Sequence, residues 1–177
     1  MNTSSSGSVL KTILAVIAAV FGIGLLIGGI YLAVLGGSWY YIIAGILFIA
    51  TAVLLYKRKS AALLVYAVFV LATVVWGLWE VGSDFFALAP RLDILGLFGL
   101  ALLIPAVTRG FDQSKGAKIA LGGSLAITIA VMIYAVFNDP QEIRGELKSQ
   151  QPATHQPIPG VADEDWPAYG PVSYTHL

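Results

Sequence analysis

The chain has 177 residues with a formal net charge of +0; 58% are hydrophobic and 11% charged, and the mean hydropathy is +0.83. Soluble domains carry about 25% charged residues, so this composition reads as an integral membrane protein. Neutrality speaks against nucleic acid as a partner, and the absence of cysteine excludes disulfides, iron–sulfur clusters and covalently attached haem.

Five apolar runs follow one another at about 12–35, 40–56, 61–79, 94–108 and 119–137. A helix crosses hydrocarbon with roughly 20 residues and satisfies its own backbone hydrogen bonds on the way. The expected fold is therefore all-α: a polytopic membrane protein with five transmembrane helices in an antiparallel bundle over 1–138. The first run is too long for a cleavable signal and reads as an uncleaved span. Gly24 and Gly28 lie four apart on that helix, a spacing that permits close helix contact. Gly36 and Gly37 then make a tight turn, and Trp39, Tyr40 and Tyr41 follow at a membrane boundary, where amphipathic rings prefer to lie. Lys57, Arg58 and Lys59 separate the second and third runs as an orientation signal. The fourth run is short and carries Pro105. Thr51, Thr73, Ser124 and Thr128 are nearly the only polar groups within the spans. They can bond their own backbone, which weighs against a transporter with its site at the midplane.

Cations fix the direction. With the N-terminus in the cytoplasm, the inner side holds Lys11, Lys57, Arg58, Lys59, Arg109, Lys115 and Lys118, and the outer side only Arg91, Arg144 and Lys148. Seven of the 10 cations inside agrees with the positive-inside rule and puts the C-terminal tail outside. Residues 139–164 are polar and rich in Gln, Pro and acids, and read as a disordered linker. Asp139 and Glu142 mark the chain's exit; His155 and His176 lie in the tail, so no pair of axial haem ligands faces across the bundle and no metal site is expected. Residues 165–170 (DWPAYG) look like the beginning of something folded, while Pro171–Leu177 (PVSYTHL) match the translation of a transposon end used as a sequencing adapter. The expectation is that these last seven residues are not coding sequence and that the gene continues beyond Gly170.

The densest chemistry lies in Trp76–Asp93 (WGLWEVGSDFFALAPRLD), between the third and fourth runs. Glu80, Asp84, Arg91 and Asp93 share one boundary with Trp76, Trp79, Phe85 and Phe86. Charge near hydrocarbon is costly and usually has a reason to be there. Plain structural roles exist for each: Glu80 and Asp84 ending a helix in the headgroup layer, Asp93 at the N-terminus of the fourth helix, Arg91 paired with Asp93 or a lipid phosphate.

GGSWYYIIAG at 36–45, WGLWEVGSDFFALAPRLDIL at 76–95, FNDPQEI at 137–143 and DWPAYG together resemble the N-terminal membrane region of membrane-bound quinoprotein glucose dehydrogenases, a family with quinate and shikimate dehydrogenases among its relatives. The resemblance implies five helices in a bacterial inner membrane, ahead of a periplasmic β-propeller that holds pyrroloquinoline quinone with calcium or magnesium, oxidises aldoses and passes electrons to ubiquinone. That propeller is missing here, so no catalytic residue carries over. The implied function is the membrane anchor and ubiquinone-side module of such an enzyme. A quinone head group needs donors near its carbonyl oxygens, a proton source and an apolar slot. Trp79, Glu80, Asp84, Arg91 and Asp93 are the candidates for a place near the quinone, or for docking the catalytic domain. The alternative is a free-standing small membrane protein, an assembly partner or a transporter subunit.

Overall fold

The computed structural model describes residues 3–109, 111, 115–138 and 140. The expected linker apart from Pro140, the DWPAYG segment and Pro171–Leu177 lie outside the described residues, as do Asp139, Glu142, His155 and His176.

The described residues form helices and turns, with no strand. In chain order the helices are α1 (Thr3–Val34), α2 (Tyr40–Tyr56), α3 (Ala61–Val81), α4 (Phe85–Leu103), the single turn α5 (Pro105–Thr108) and α6 (Lys115–Phe137). Ser8–Val34 within α1, together with α3, α4 and α6, are long and apolar enough to cross a membrane. Helix α2 has 17 residues, about 25 Å at 1.5 Å per residue, against roughly 30 Å of hydrocarbon. The all-α polytopic fold is thus present, with its second helix at the short limit for a span.

Contacts at the two ends set the topology. At one end, Lys11 Nζ donates to the Arg109 carbonyl at 2.7 Å and Arg58 Nη2 to Ser8 Oγ at 3.5 Å. This joins the start of α1, the α2–α3 turn and the exit from α5. At the other end, Ser83 Oγ donates to the Asn138 carbonyl at 2.7 Å, which joins the α3–α4 turn to the end of α6. Successive long helices therefore run antiparallel, and Lys11, Lys57, Arg58, Lys59 and Arg109 share the first end.

The core is aromatic. Phe48, Tyr66 and Phe69 are buried, and Phe98 packs on them, with ring centroids 5.0–6.0 Å apart and mostly edge-on. The Tyr66 hydroxyl donates to the Leu95 carbonyl at 2.8 Å, tying α3 to α4. Thr51, Thr73 and Thr128 return their hydroxyl protons to the carbonyl four residues back, and Ser124 to the one three back, as expected of polar groups inside a span.

Two expectations are corrected. The close α1–α2 seam does not run through Gly24 and Gly28, where an added Cβ would meet nothing. It runs through Gly22, Gly29 and Gly45. A Cβ on Gly45 would lie 2.7 Å from Leu26 N and 2.8 Å from the Gly22 carbonyl. Residues 22 and 29 are seven apart, two helical turns, and share the face towards α2; Gly24 and Gly28 lie on the outer face.

The fourth span also begins earlier than residue 94. Helix α4 starts at Phe85 because Gly82 turns the chain at φ 64° and Asp84 then caps the helix, accepting from Ala87 N at 3.0 Å. Pro90 lies inside the helix and removes one backbone donor. The helix ends at Leu103 because Ile104 precedes a proline and is held extended at ψ 129°; Pro105 then opens α5 at its favoured first position. Arg91, Asp93 and Pro90 lowered the apparent hydropathy of the first turns of α4 and concealed them in the sequence.

Candidate functional site

Between the end of the bundle away from the cation cluster and its middle, rings from three helices enclose a cleft of about 340 Å³. Phe21 and Leu25 come from α1, Tyr40, Tyr41 and Phe48 from α2, Phe69 from α3, and Pro90, Arg91, Ile94 and Leu95 from α4. The lining is almost wholly apolar, with Arg91 its single formal charge. Such a slot, with a few convergent polar groups, is the usual form of a small-molecule site.

The polar groups around it are ordered. Thr73 gives its proton to the Phe69 carbonyl, so in the 2.9 Å contact between Tyr40 and Thr73 the tyrosine donates. Tyr40 also stacks on Trp76 at 5.8 Å and meets Tyr41 edge-on at 5.4 Å. The Tyr41 hydroxyl makes no hydrogen bond among the described residues. Arg91 Nη1 donates to the Ala87 carbonyl one turn back, and Nη2 reaches Glu80 Oε2 at 3.2 Å. A long side chain can thus stand in an apolar wall while its charge is met at the rim.

The five candidates read from the sequence fall in different places. Arg91 lines the cleft and Glu80 is its ion partner. Asp84 caps the start of α4, whereas its plain structural reading had it ending a helix. Trp79 is 77% exposed, meets Trp76 at 5.3 Å, and lines a separate outward groove on α3. Asp93 is exposed too, beside a groove between α4 and α6. It is eight residues into α4, about 12 Å along the axis at 1.5 Å per residue, and so is not at the helix N-terminus as the sequence implied. The pairing of Arg91 with Asp93 is likewise replaced by Arg91 with Glu80.

No family model matches the chain, and no solved structure matches it. Over 170 residues it is 58% identical to quinoprotein glucose dehydrogenase A of Acinetobacter calcoaceticus, covering 96% of this chain and 21% of that protein. Over 171 residues it is 47% identical to the quinoprotein glucose dehydrogenase of Escherichia coli (strain K12), with 96% and 21% covered. A glycerol dehydrogenase small subunit of Gluconobacter thailandicus is 39% identical over 103 residues, 56% of this chain and 81% of that subunit. The chain belongs to the quinoprotein glucose dehydrogenase family. It corresponds to the N-terminal membrane region and spans about a fifth of the length of those two dehydrogenases.

The redox group named in "quinoprotein" does not fit the cleft. Pyrroloquinoline quinone is a tricarboxylate, and the cleft offers one cation already paired with Glu80. Among the described residues no three carboxylates or imidazoles gather to hold calcium or magnesium. The sequence reading missed Tyr40, Tyr41 and the apolar rings at Phe21, Phe48 and Phe69. Tyr40 and Tyr41 read equally well as boundary aromatics, and nothing local links residue 41 to residue 91.

Proposed function

We propose that this chain is the membrane anchor and ubiquinone-side module of a quinoprotein dehydrogenase of the bacterial inner membrane. Its N-terminus lies in the cytoplasm and its C-terminal tail leads to a periplasmic catalytic domain. The carrying observation is the aromatic cleft with Arg91 in its wall, running from the end of the bundle that holds the exit from α6 towards its middle. A benzoquinone ring is flat and uncharged, suited to a slot between rings. Its carbonyl oxygens need donors, and Arg91 and the unengaged hydroxyl of Tyr41 supply them. Oxidation of an aldose to its lactone releases two electrons and two protons; reduction of ubiquinone to ubiquinol takes up the same. The sugar chemistry belongs to the domain beyond this chain. This chain tethers that domain and presents the acceptor.

Intrinsic tryptophan fluorescence tests the site on the chain itself. Trp76 stacks on Tyr40 at the cleft wall, so a short-tailed ubiquinone analogue in detergent micelles should quench it saturably. Arg91→Ala or Tyr41→Ala should weaken the apparent affinity by about tenfold, the effect of about 1.4 kcal/mol. Quenching that is linear and identical in all variants would show partition into the micelle and no site. In the full-length enzyme Arg91→Ala should slow ubiquinone reduction more than reduction of a soluble dye; equal loss with both acceptors would assign Arg91 to folding.

A second reading rests on the glycerol dehydrogenase small subunit, of which the matched region makes up 81%. In that reading the chain is a separate membrane protein that assembles with a catalytic partner. A reading frame that runs past Gly170 into propeller repeats favours the first reading, and a separate gene for the catalytic protein the second.

A further inference from the structure

We propose that the α4–α6 face around Asp93 is the docking surface for a membrane helix of a different polypeptide, one that carries a lysine or arginine at the level of this carboxylate. The face is a groove of about 440 Å³. Asp93, Gly96, Leu97 and Leu100 line one side and Ile129 and Ile133 the other. Every lining residue except Asp93 and Thr128 is apolar or glycine, and Thr128 has already given its proton to the Ser124 carbonyl. Asp93 has no hydrogen bond or ion pair among the described residues. Its side chain is short. From about 12 Å down the helix it cannot reach the rim, where Arg91 meets Glu80.

An ionisable group at that depth is normally paired or turned inward. Here it is exposed, on the same face as the exposed Leu97 one turn on. Charge complementarity therefore calls for a cation from outside the described bundle. Among the described residues a second copy does not bring one. Arg91 is held by Glu80 on the wall of the aromatic cleft, and Lys11, Lys57, Arg58, Lys59 and Arg109 gather at the opposite end of the bundle, where Lys115 and Lys118 open α6. Gly96, one turn below Asp93, has open space where a Cβ would stand, so a partner helix can approach the backbone there. This surface is distinct from the aromatic cleft and does not depend on a quinone binding there.

The test places a photoreactive benzoylphenylalanine at Leu97 of the full chain in membranes of the native host. The expected product is a cross-link to another polypeptide, within an apolar helix containing Lys or Arg. Asp93→Asn should lower its yield by about tenfold or more, as should neutralising the partner's cation. Asp93→Lys combined with a carboxylate in place of that cation should restore it. Thermal unfolding of the Asp93→Asn chain alone checks that the bundle is intact; if it is not, the partner-side substitution and the reciprocal exchange decide. Cross-links confined to lipid, to a second copy or to residues 141–177 overturn the proposal. So does a cross-linked protein whose yield ignores both charges.

Discussion

Arg91 and Asp93 stand two residues apart on one helix and meet opposite fates. Arginine has the reach to carry its charge to Glu80 at the rim; aspartate has not. The Glu80–Arg91 pair is itself partly exposed, at 39% and 31%, and such pairs contribute about 0.2–1 kcal/mol. Glu80→Gln should therefore change stability by less than about 1 kcal/mol while freeing Arg91 for a ligand, which fluorescence titration would register as unchanged or tighter quinone binding. Asp84 has a plainer role. Its carboxylate caps α4, and Asp84→Ala should cost about 1 kcal/mol in chemical unfolding from mixed micelles. Tyr66→Phe removes the hydroxyl that ties α3 to α4. In a membrane such interhelical hydrogen bonds average about 0.6 kcal/mol, so the loss should be small yet measurable.

At the scale of whole helices, α1 and α2 meet backbone to backbone. Gly45→Ala would push a methyl group into Leu26 N and the Gly22 carbonyl, neither of which can rotate away. Overpacking of this kind costs about 1–3 kcal/mol, so Gly45→Ala should lower the thermal midpoint clearly. Gly24→Ala, pointing at open space, should leave it unchanged or raise it slightly. An equal drop in both would mean the seam lies elsewhere. The cleft depends on this seam, because Phe21 and Leu25 reach Tyr41 and Phe48 only if the two helices stay close. Helix α4 shows a related dependence: its start at Phe85, set by Gly82 and Asp84, fixes the register that brings Arg91 to the cleft and Asp93 to the outer face.

Across the whole bundle, charge is sorted by end. Lys11 is buried where it serves the fold: it holds the Arg109 carbonyl and lies 5.2 Å above the Phe111 ring, so one cation both belongs to the basic end of the bundle and clamps the exit from α5. The positive-inside rule then predicts the orientation. Alkaline phosphatase joined after Glu146 should be active, and the same reporter inserted between Lys57 and Lys59 inactive. The reverse pattern would invert the membrane topology and remove the periplasmic setting proposed for the cleft.

Hydrophobic length and charge spacing were enough to establish a membrane bundle of apolar helices and their alternation. These are local properties, because lipid asks each helix to be apolar and self-bonded on its own. Which glycines touch, where α4 begins, and which ionisable group lines a cleft and which faces outward were settled by packing. Each depends on the rotation of one helix against another, and the periodicity of a span that is apolar on all sides carries almost no record of that rotation.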